Sequence, residues 1–417
     1  MNEEKAILVA LDRGDFNVKE SLDELELLLS TLNIETVERV VQRRSKPHPA
    51  YYLGVGKLEK VRKLAEAFQV TLVVVDDELS PIQAKNIEDF TGLKVQDRTQ
   101  IILEIFARHA TTEEGKIQVE LARLQYELPR FVGLGEQLSR LGGGIGTRGP
   151  GERILQQRRS QVRKRISVLK KRLEEIETER ETQRKKRKEA MIYRVSIVGY
   201  TNAGKSSLLN LLSQSEDAKV ENKLFATLEP ITRRVKLISG RTVLFSDTVG
   251  FIRKLPHTIV AAFRATLEEI KDSDLLIHLV DVSDPYFRNK MKESLKVLEE
   301  IAALDVPRIT VFNKIDLVPK DWLERVMDKF HKAVFMSVKK KIGVSELLER
   351  VDHELSKMEE EVTIRVSQEM AGVIYSSLDK VLLLSQEFAN GHIEVRLKGR
   401  KDLIQELIGK TKGVIMK

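Results

Sequence analysis

The sequence contains no cysteine and no long apolar run. The lack of cysteine excludes disulfide bonds, thiolate metal sites and cysteine nucleophiles. No stretch approaches the ~20 apolar residues of a membrane helix, and the acidic N-terminus resembles neither a signal nor a transit peptide. We therefore expect a cytoplasmic protein without a membrane span. The 417 residues allow about three domains at roughly 150 residues each.

The net charge of +8 is concentrated in the middle of the chain. Residues 1–115 hold 15 basic and 21 acidic side chains, residues 116–189 hold 20 and 10, and residues 190–417 hold 36 and 32. This partition favours a basic arm that contacts a polyanion, with the remainder near neutral. A solvated helix face rich in Lys and Arg is the alternative explanation.

The first 111 residues alternate between strand-like and helix-like segments. Residues 6–11 and 71–75 are β-branched apolar runs, and residues 21–32 and 58–68 have helical character. Such alternation is typical of a parallel sheet. We predict a small N-terminal α/β domain over residues 1–111.

Residues 112–190 have the pattern of an antiparallel two-helix arm. Apolar residues recur at spacings of three and four, which favours helices that pair along a seam. The seam residues are Ile117, Leu121, Leu124, Leu128, Leu155, Val162, Ile166, Leu169, Leu173 and Ile176. We expect Pro129 to kink or end the first helix and the basic run 184–188 to be an exposed linker.

A glycine-rich loop, residues 141–152, separates the two helices. It holds six of the 23 glycines within ten positions, more than a simple helix connection needs. One interpretation is a flexible connection. The other is a backbone that closely approaches another surface, with Arg140 and Arg148 supplying positive charge.

Two further α/β units follow. Residues 191–358 carry strand-like runs at 195–198, 242–245, 275–280 and 308–312, separated by helical stretches, so we predict a domain with a mostly parallel sheet. In the small C-terminal α/β unit, residues 359–417, we predict a strand at 363–366, a helix to about 385, a strand at 392–397 and a helix at 401–407. No chemistry is assigned to this last unit.

The third unit opens with a phosphate-loop pattern between a strand and a helix, the context such a loop requires. Its glycines let backbone N–H groups turn toward the α- and β-phosphates. Lys205 would reach the β- and γ-phosphates, and the Ser206 hydroxyl would bind Mg²⁺. The loop is Gly199-Tyr200-Thr201-Asn202-Ala203-Gly204-Lys205-Ser206, followed by Ser207.

Three further motifs follow in the order that a GTPase requires. Asp247 would act on the metal through a bound water, and the Gly250 N–H would sense the γ-phosphate. Asp316 would accept the N1–H and exocyclic amine of guanine, which selects GTP over ATP. The Ser337 motif would lie against the base. The motifs are Asp247-Thr248-Val249-Gly250, Asn313-Lys314-Ile315-Asp316 and Ser337-Val338-Lys339.

A switch segment lies between the first two motifs. Thr227 is the candidate that completes the Mg²⁺ shell, a choice that rests partly on resemblance because other threonines lie nearby. The segment is Phe225-Ala226-Thr227-Leu228-Glu229. Together with Lys205 and Gly250, Thr227 is a candidate catalytic residue.

Phe251 stands where many GTPases carry a water-orienting glutamine. Phenylalanine cannot orient water, so we expect slow intrinsic GTP hydrolysis and a missing group supplied by a partner, a switch residue or a monovalent cation. Asn202 suggests K⁺, because an asparagine at this loop position coordinates that ion in K⁺-using GTPases. Alternatively, Asn202 only braces the loop.

The sequence resembles the HflX family of ribosome-associated GTPases over most of its length. A variant segment, Glu152-Arg153-Ile154-Leu155, replaces the expected Glu-Thr-Gln-Leu. A second glycine and lysine run, Gly54-Val55-Gly56-Lys57, lacks the length of a phosphate loop and is predicted to be a turn before a helix. The similar segments are Tyr52-Leu53-Gly54-Val55-Gly56-Lys57, Glu78-Leu79-Ser80-Pro81, residues 97–107, 140–152, 250–257 and 261–269.

The resemblance implies a GTPase that binds the large ribosomal subunit in its GTP form and splits or rescues stalled or idle ribosomes. Alternatives are a checkpoint GTPase of large-subunit assembly and an RNA-remodelling protein that does not need GTP. We expect a monomer that binds rRNA but not DNA, with Mg²⁺ and possible K⁺ as cofactors. The candidate RNA contacts are Arg140, Gly142, Gly143, Gly144, Gly146, Arg148, Arg158, Arg159, Arg163 and Lys164.

Overall fold

A computed structural model describes most of the chain: residues 4–14, 17–141, 150–189, 192–213, 231–254, 270–378, 381–389, 391–411 and 414–416. For residues 131–141, 150–155, 177, 179–189, 389, 414 and 416 it describes the backbone only. None of the helices described has the length and apolar character needed to cross a membrane.

The N-terminal domain is a four-stranded parallel sheet with helices on both faces, as predicted. The sheet order is β2-β1-β3-β4. Alternate residues of β1 enter separate cores, so that Leu8 faces one set of helices and Val9 faces the other. The elements are β1 (Glu4–Asp12), α1 (Val18–Thr31), β2 (Ile34–Arg43), α2 (Val55–Phe68), β3 (Leu72–Val75), α3 (Pro81–Thr91), β4 (Lys94–Asp97) and α4 (Arg98–His109).

Local caps fix where several of these helices begin. Asn17 accepts hydrogen bonds from two backbone N–H groups of α1. Asp97 and Gln100 form a capping box at α4, and Ser80 and Gln83 form one at α3. The run of residues 54–57 leads directly into α2, with Gly54 as its N-cap, which confirms the prediction of a turn before a helix.

The arm consists of α5 (Glu113–Leu141) and α6 (Pro150–Glu189). Arg165 pairs with Glu120 at 2.7 Å and Arg172 pairs with Glu113 at 3.2 Å. The two pairs are seven residues apart on each helix, but the residue number rises along α6 while it falls along α5. The two helices therefore run antiparallel, as predicted. Leu169 is buried at the seam between them.

The structure corrects two predictions for the arm. Helix α5 does not end at Pro129 but continues through it to Leu141, because proline removes a single N–H donor. The basic run 184–188 is not a linker, since α6 includes it and ends at Glu189. Lys and Arg are good helix formers.

The third domain is a six-stranded sheet of order β10-β9-β8-β5-β7-β6. All neighbouring strands are parallel except β6, which pairs antiparallel with β7. The elements are β5 (Arg194–Gly199), α7 (Lys205–Ser213), β6 (Ile231–Lys236), β7 (Thr242–Asp247), β8 (Leu275–Asp281), α8 (Phe287–Glu300), β9 (Arg308–Asn313), α9 (Lys320–Lys329), β10 (Val334–Phe335) and α10 (Val344–Ser356).

The C-terminal domain is an antiparallel sheet of order β12-β13-β11-β14. The helix predicted to reach about residue 385 is wrong, because residues 382–389 form a strand. Leu382, Leu383 and Leu384 form a short apolar run, which periodicity cannot assign, and pairing with β13 decides it. The elements are β11 (Glu359–Ser367), α11 (Ala371–Tyr375), β12 (Leu382–Ala389), β13 (His392–Arg400), α12 (Lys401–Thr411) and β14 (Val414–Met416).

The substitution Leu169→Ala tests the seam of the arm. Leu169 is 3% exposed, so the cavity left by the substitution should destabilise the helix pair by about 2–4 kcal/mol. Amide hydrogen exchange over residues 113–130 and 156–176 should speed up accordingly. The control is Val168→Ala on the same helix, where the side chain is 58% exposed and exchange should not change. Equal exchange in both variants would show that the seam does not hold the arm.

Candidate functional site

The phosphate loop leaves β5 at Gly199 and enters α7 at Lys205, and its glycines are sterically required. Gly199 has φ +154°, and a Cβ there would lie 2.2 Å from the Leu279 carbonyl oxygen. Gly204 has φ +95°, and a Cβ there would lie 2.5 Å from Asn313 Nδ2. Asn202 adopts the left-handed region with φ 62°. At both glycines the loop backbone therefore lies too close to its neighbours for a residue that has a Cβ.

Lys205 is buried at the first position of α7, with 7% of its surface exposed. Its Nζ donates a hydrogen bond to the Tyr200 carbonyl oxygen at 3.0 Å. Burial lowers the pKa of this ammonium to about 8, against an opposing effect of the Asp247 carboxylate. An anion placed at this loop would raise that pKa and favour the charged form.

Ser206 and Asp247 meet beside that lysine. The Ser206 hydroxyl donates to Asp247 Oδ2 at 2.6 Å, and the aspartate is fully buried at the end of β7. Thr248 turns its hydroxyl away, donating to the Ile197 carbonyl at 2.8 Å. A hydroxyl and a carboxylate are donors that Mg²⁺ prefers, and this ion normally takes its other ligands from water and phosphate. The pair therefore fits Mg²⁺.

Gly250 packs directly on the phosphate loop. A Cβ on this residue would lie 2.8 Å from Thr201 Cγ2 and 2.9 Å from Lys205 Nζ. The next residue pairs with the loop backbone: Phe251 N donates to the Gly199 carbonyl at 3.0 Å, and its carbonyl accepts from Thr201 N at 2.9 Å. Val249, on the other side of Gly250, is also buried.

Phe251 is part of a hydrophobic core and not of a solvent-facing site. Its side chain is 2% exposed and belongs to a cluster with Val198, Leu276 and Leu298. The side chain has no hydrogen-bonding atom that could orient a water molecule. That Phe251 takes no part in hydrolysis stays a prediction.

Asn313 joins the phosphate loop to the loop around Ser337. Its Nδ2 donates to the Ala203 carbonyl at 2.9 Å, and its Oδ1 accepts from Val338 N at 3.1 Å. The buried Ser337 hydroxyl donates to Asp316 Oδ1 at 2.5 Å, which fixes the carboxylate. The last two motifs are therefore adjacent to the first.

The remaining members of these motifs differ in burial and contacts. Lys314 adopts a left-handed φ of 66° and pairs through Nζ with Asp281 at 2.6 Å. Ile315 packs half-buried in a neighbouring core, and Lys339 is exposed. Ser207 is half-buried on α7. The hydrogen bonds described above thus bring parts of all four motifs together.

The other predicted site residues lie outside the described part or on the arm. The switch segment, Phe225, Ala226, Thr227, Leu228 and Glu229, lies outside the described residues. So do Gly142, Gly143, Gly144, Gly146 and Arg148, while Arg140 is described only by its backbone in α5. Arg158, Arg163 and Lys164 are exposed on α6, and Arg159 is half-buried there.

The sequence analysis missed a set of contacts between the N-terminal domain and the nucleotide site. The Tyr200 hydroxyl donates to Glu24, and Arg253 Nη2 lies 2.7 Å from Glu20 Oε1. Lys254 Nζ lies 2.7 Å from Asp76 Oδ2. The three residues of the GTPase domain lie in motifs that the sequence shows, whereas Glu20, Glu24 and Asp76 lie in none of them. Partners so far apart in sequence leave no local signal.

Three family models match successive parts of the chain. The model described as "GTP-binding GTPase N-terminal" matches residues 19–107, and the one described as "GTP-binding GTPase Middle Region" matches residues 109–187. The model described as "50S ribosome-binding GTPase" matches residues 194–314.

Curated relatives match nearly the whole chain. GTPase HflX of Caldanaerobacter subterraneus is 47% identical over 95% of this chain and 91% of its own. GTPase HflX of Escherichia coli is 38% identical over 96% and 94%. A crystal structure of SsGBP with GDP is 27% identical and covers 84% of this chain and 98% of that one, with a TM-score of 0.49. The sequence relatives carry the assignment: this chain belongs to the HflX family of GTPases.

Proposed function

We propose that the chain binds GTP with Mg²⁺ at the loop between β5 and α7 and hydrolyses it as a switch that controls binding to the large ribosomal subunit. The observation that carries the nucleotide site is the side chain of Asn313. It joins the phosphate loop to the Ser337 loop and so fixes the distance between the phosphate and base subsites.

The base subsite is built for guanine. The Ser337 hydroxyl holds one oxygen of the Asp316 carboxylate, which leaves the carboxylate oriented to accept from N1–H and the exocyclic amine together. Adenine lacks both donors at these positions, so this pair of bonds selects GTP over ATP. Lys314 and the Ser337-Val338-Lys339 segment would enclose the base.

At the phosphates, Lys205 would contact the β- and γ-oxygens while Ser206 and Thr227 hold the metal. Asp247 would hold a metal-bound water. Bound Mg²⁺ would neutralise charge that develops on the phosphates. The Gly250 N–H would contact the γ-phosphate. Because Gly250 also lies against Lys205, loss of that phosphate would change the position of the segment that follows Gly250.

Hydrolysis by the chain alone should be slow, since Phe251 is buried and supplies no group to orient water. We propose that ribosome binding, a switch residue or K⁺ supplies the missing group. Within the described part of the chain the Asn202 side chain is exposed and makes no hydrogen bond that would brace the loop. This favours Asn202 as a ligand for K⁺.

The ribosome assignment comes from the family and from the arm. The model matching residues 194–314 is described as a 50S ribosome-binding GTPase. On α6, Arg158, Arg163 and Lys164 are exposed, as contacts to rRNA phosphates require. We propose that the arm carries the glycine-rich loop toward rRNA and that the GTP form splits or rescues stalled or idle ribosomes, as a cytoplasmic monomer.

Proton uptake on nucleotide binding tests the role of Lys205. In the free protein the pKa of this group is about 8, and phosphates raise it, so binding at pH 8.5 should take up most of one proton. GDP affinity should then fall by up to about tenfold per pH unit above pH 8. Calorimetry at pH 7 and 8.5 in two buffers of different ionisation enthalpy measures the uptake. Equal proton numbers at both pH values would contradict the expected rise in the pKa of Lys205 on nucleotide binding.

GTP turnover in KCl and NaCl at equal ionic strength tests the cation. We expect roughly tenfold faster turnover in KCl, because a fixed cation stabilises charge in the transition state. Asn202→Gly is the matched variant, since glycine accepts the left-handed backbone while removing the side chain. It should retain GDP affinity and lose the KCl advantage. Equal wild-type rates in the two salts would exclude K⁺.

Sucrose-gradient sedimentation of assembled ribosomes with a non-hydrolysable GTP analogue tests the ribosome function. If the protein splits ribosomes, monosomes should disappear and the protein should sediment with large subunits, and this binding should weaken as the salt concentration rises. Lys205→Ala should abolish both the splitting and the binding. Persistent monosomes with protein on free large subunits would favour assembly instead. Replacing residues 142–149 by a Gly-Ser connection of equal length should lower affinity, whereas unchanged affinity would make the loop a mere connection.

A further inference from the structure

Four carboxylates of the N-terminal domain form one surface against the GTPase domain. We call Glu20, Glu24, Asp76 and Asp77 the acidic seat. Glu20 and Glu24 lie on α1, and the two aspartates follow β3. Glu20, Glu24 and Asp76 are buried, so these charges require partners.

Those partners come from the segment that follows Gly250. Arg253 pairs with Glu20 at 2.7 Å, and Lys254 pairs with Asp76 at 2.7 Å and with Asp77 at 2.8 Å. The apolar side chains join them, because Val249 and Ile252 are buried in the same core cluster as the inner face of the N-terminal sheet. The segment thus belongs structurally to both domains.

Tyr200 connects the seat to the phosphate loop itself. Its hydroxyl donates to Glu24 and accepts from Arg253 N at 2.7 Å, while its carbonyl accepts from Lys205 Nζ at 3.0 Å. The desolvated hydroxyl beside Glu24 has a pKa well above its usual value and stays protonated. A movement of the seat therefore moves the residue that holds Lys205.

Arg98 ties the seat to the rest of the N-terminal domain. It is 2% exposed and pairs with Glu24 and, at 2.8 Å, with Asp76 Oδ1. Ser21 donates to the other oxygen of Asp76 at 2.7 Å. Removing this guanidinium would leave two buried carboxylates without their shared cation.

The residue before Arg98 holds the arm. Asp97 is fully buried, and its Oδ2 accepts from Arg130 Nη2 of α5 at 2.6 Å and from the Tyr126 hydroxyl. Arg130 also donates to the Leu79 carbonyl at 3.0 Å. Asp97 and Arg98 are neighbours at the start of α4. The Asp97 side chain thus binds the arm, and the Arg98 side chain binds the acidic seat.

From this continuity we infer that Asp97 and Arg98 couple the arm to the phosphate loop, so that displacement of the arm changes nucleotide affinity and bound nucleotide changes the position of the arm. The effect must be reciprocal, because a coupling free energy between two binding events acts equally on both. This goes beyond the proposed function, as it operates within the chain and requires no ribosome.

Arg130→Leu cuts the connection at the arm, far in sequence from the nucleotide motifs. With the loop less preorganised, affinity for a fluorescent non-hydrolysable GTP analogue should fall by about fivefold or more. The control is Arg123→Leu on the same helix, whose exposed ion pair with Glu127 contacts no seat residue and whose affinity should stay within about twofold. Tyr126→Phe, which removes only a hydroxyl, should act in the direction of Arg130→Leu.

Lys254→Leu cuts the connection at the other end, with Lys296→Leu, at an exposed pair with Glu293, as its control. Lys254→Leu should also weaken binding, and Arg130→Leu combined with Lys254→Leu should be no worse than the stronger single variant if both act through one seat. A fully additive pair, or an Arg130→Leu affinity equal to that of Arg123→Leu, would overturn the coupling.

Hydrogen exchange without nucleotide provides a readout that does not depend on the nucleotide assignment. Arg130→Leu should speed exchange of the amides of residues 249–254 relative to Arg123→Leu, with unfolding temperatures compared as a check on the fold. Unchanged exchange in that segment would refute the connection even where nucleotide binds. If the wild type binds no GTP analogue but exchange does change, the proposed site fails and the structural connection between the arm and residues 249–254 stands without it.

Discussion

The burial of the Lys205 ammonium is the constraint on which the site depends. A cation removed from water loses hydration, and among the described residues the Tyr200 carbonyl oxygen and the Asp247 carboxylate partly offset that loss. Gly250 must lack a Cβ because one there would lie 2.9 Å from the Lys205 amine, whereas a Cβ at Gly199 or Gly204 would meet Leu279 or Asn313 instead. The phosphates of a nucleotide would complete the compensation. The lowered pKa of the free lysine and the proposed binding of phosphates at this loop would therefore have the same origin.

The same logic explains the distribution of charge between domains. The N-terminal domain has an excess of acidic residues, and part of that excess does not face solvent. Asp76 and Glu24 are buried and pair with Arg98, and Glu20 is buried and pairs with Arg253 of the GTPase domain. The positive charge of the arm differs, because Arg158, Arg163 and Lys164 on α6 are exposed. Buried ion pairs thus join the N-terminal domain to the GTPase domain, whereas these three cations of the arm face solvent.

The nucleotide site could be predicted from the sequence because each motif is local and follows a strand with a readable apolar pattern. Contacts that depend on the fold could not. Tyr200 and Glu24 are 176 residues apart, and neither residue type indicates which residue it contacts in the fold. Strand β12 was misread because three consecutive leucines fit a helix as well as a strand. The continuation of α5 through Pro129 could not be predicted either, because proline ends some helices and is accommodated within others.

Phe251 and Ile252 show why, under the proposed function, a group for hydrolysis would come from outside the segment that carries them. Adjacent side chains point to opposite sides of an extended backbone. Phe251 enters the core of the GTPase domain, and Ile252 enters the core of the N-terminal domain. Turning either toward the phosphates would expose an apolar side chain and break the ion pairs of Arg253 and Lys254. The arrangement that makes this segment sensitive to the N-terminal domain therefore prevents it from supplying a catalytic side chain.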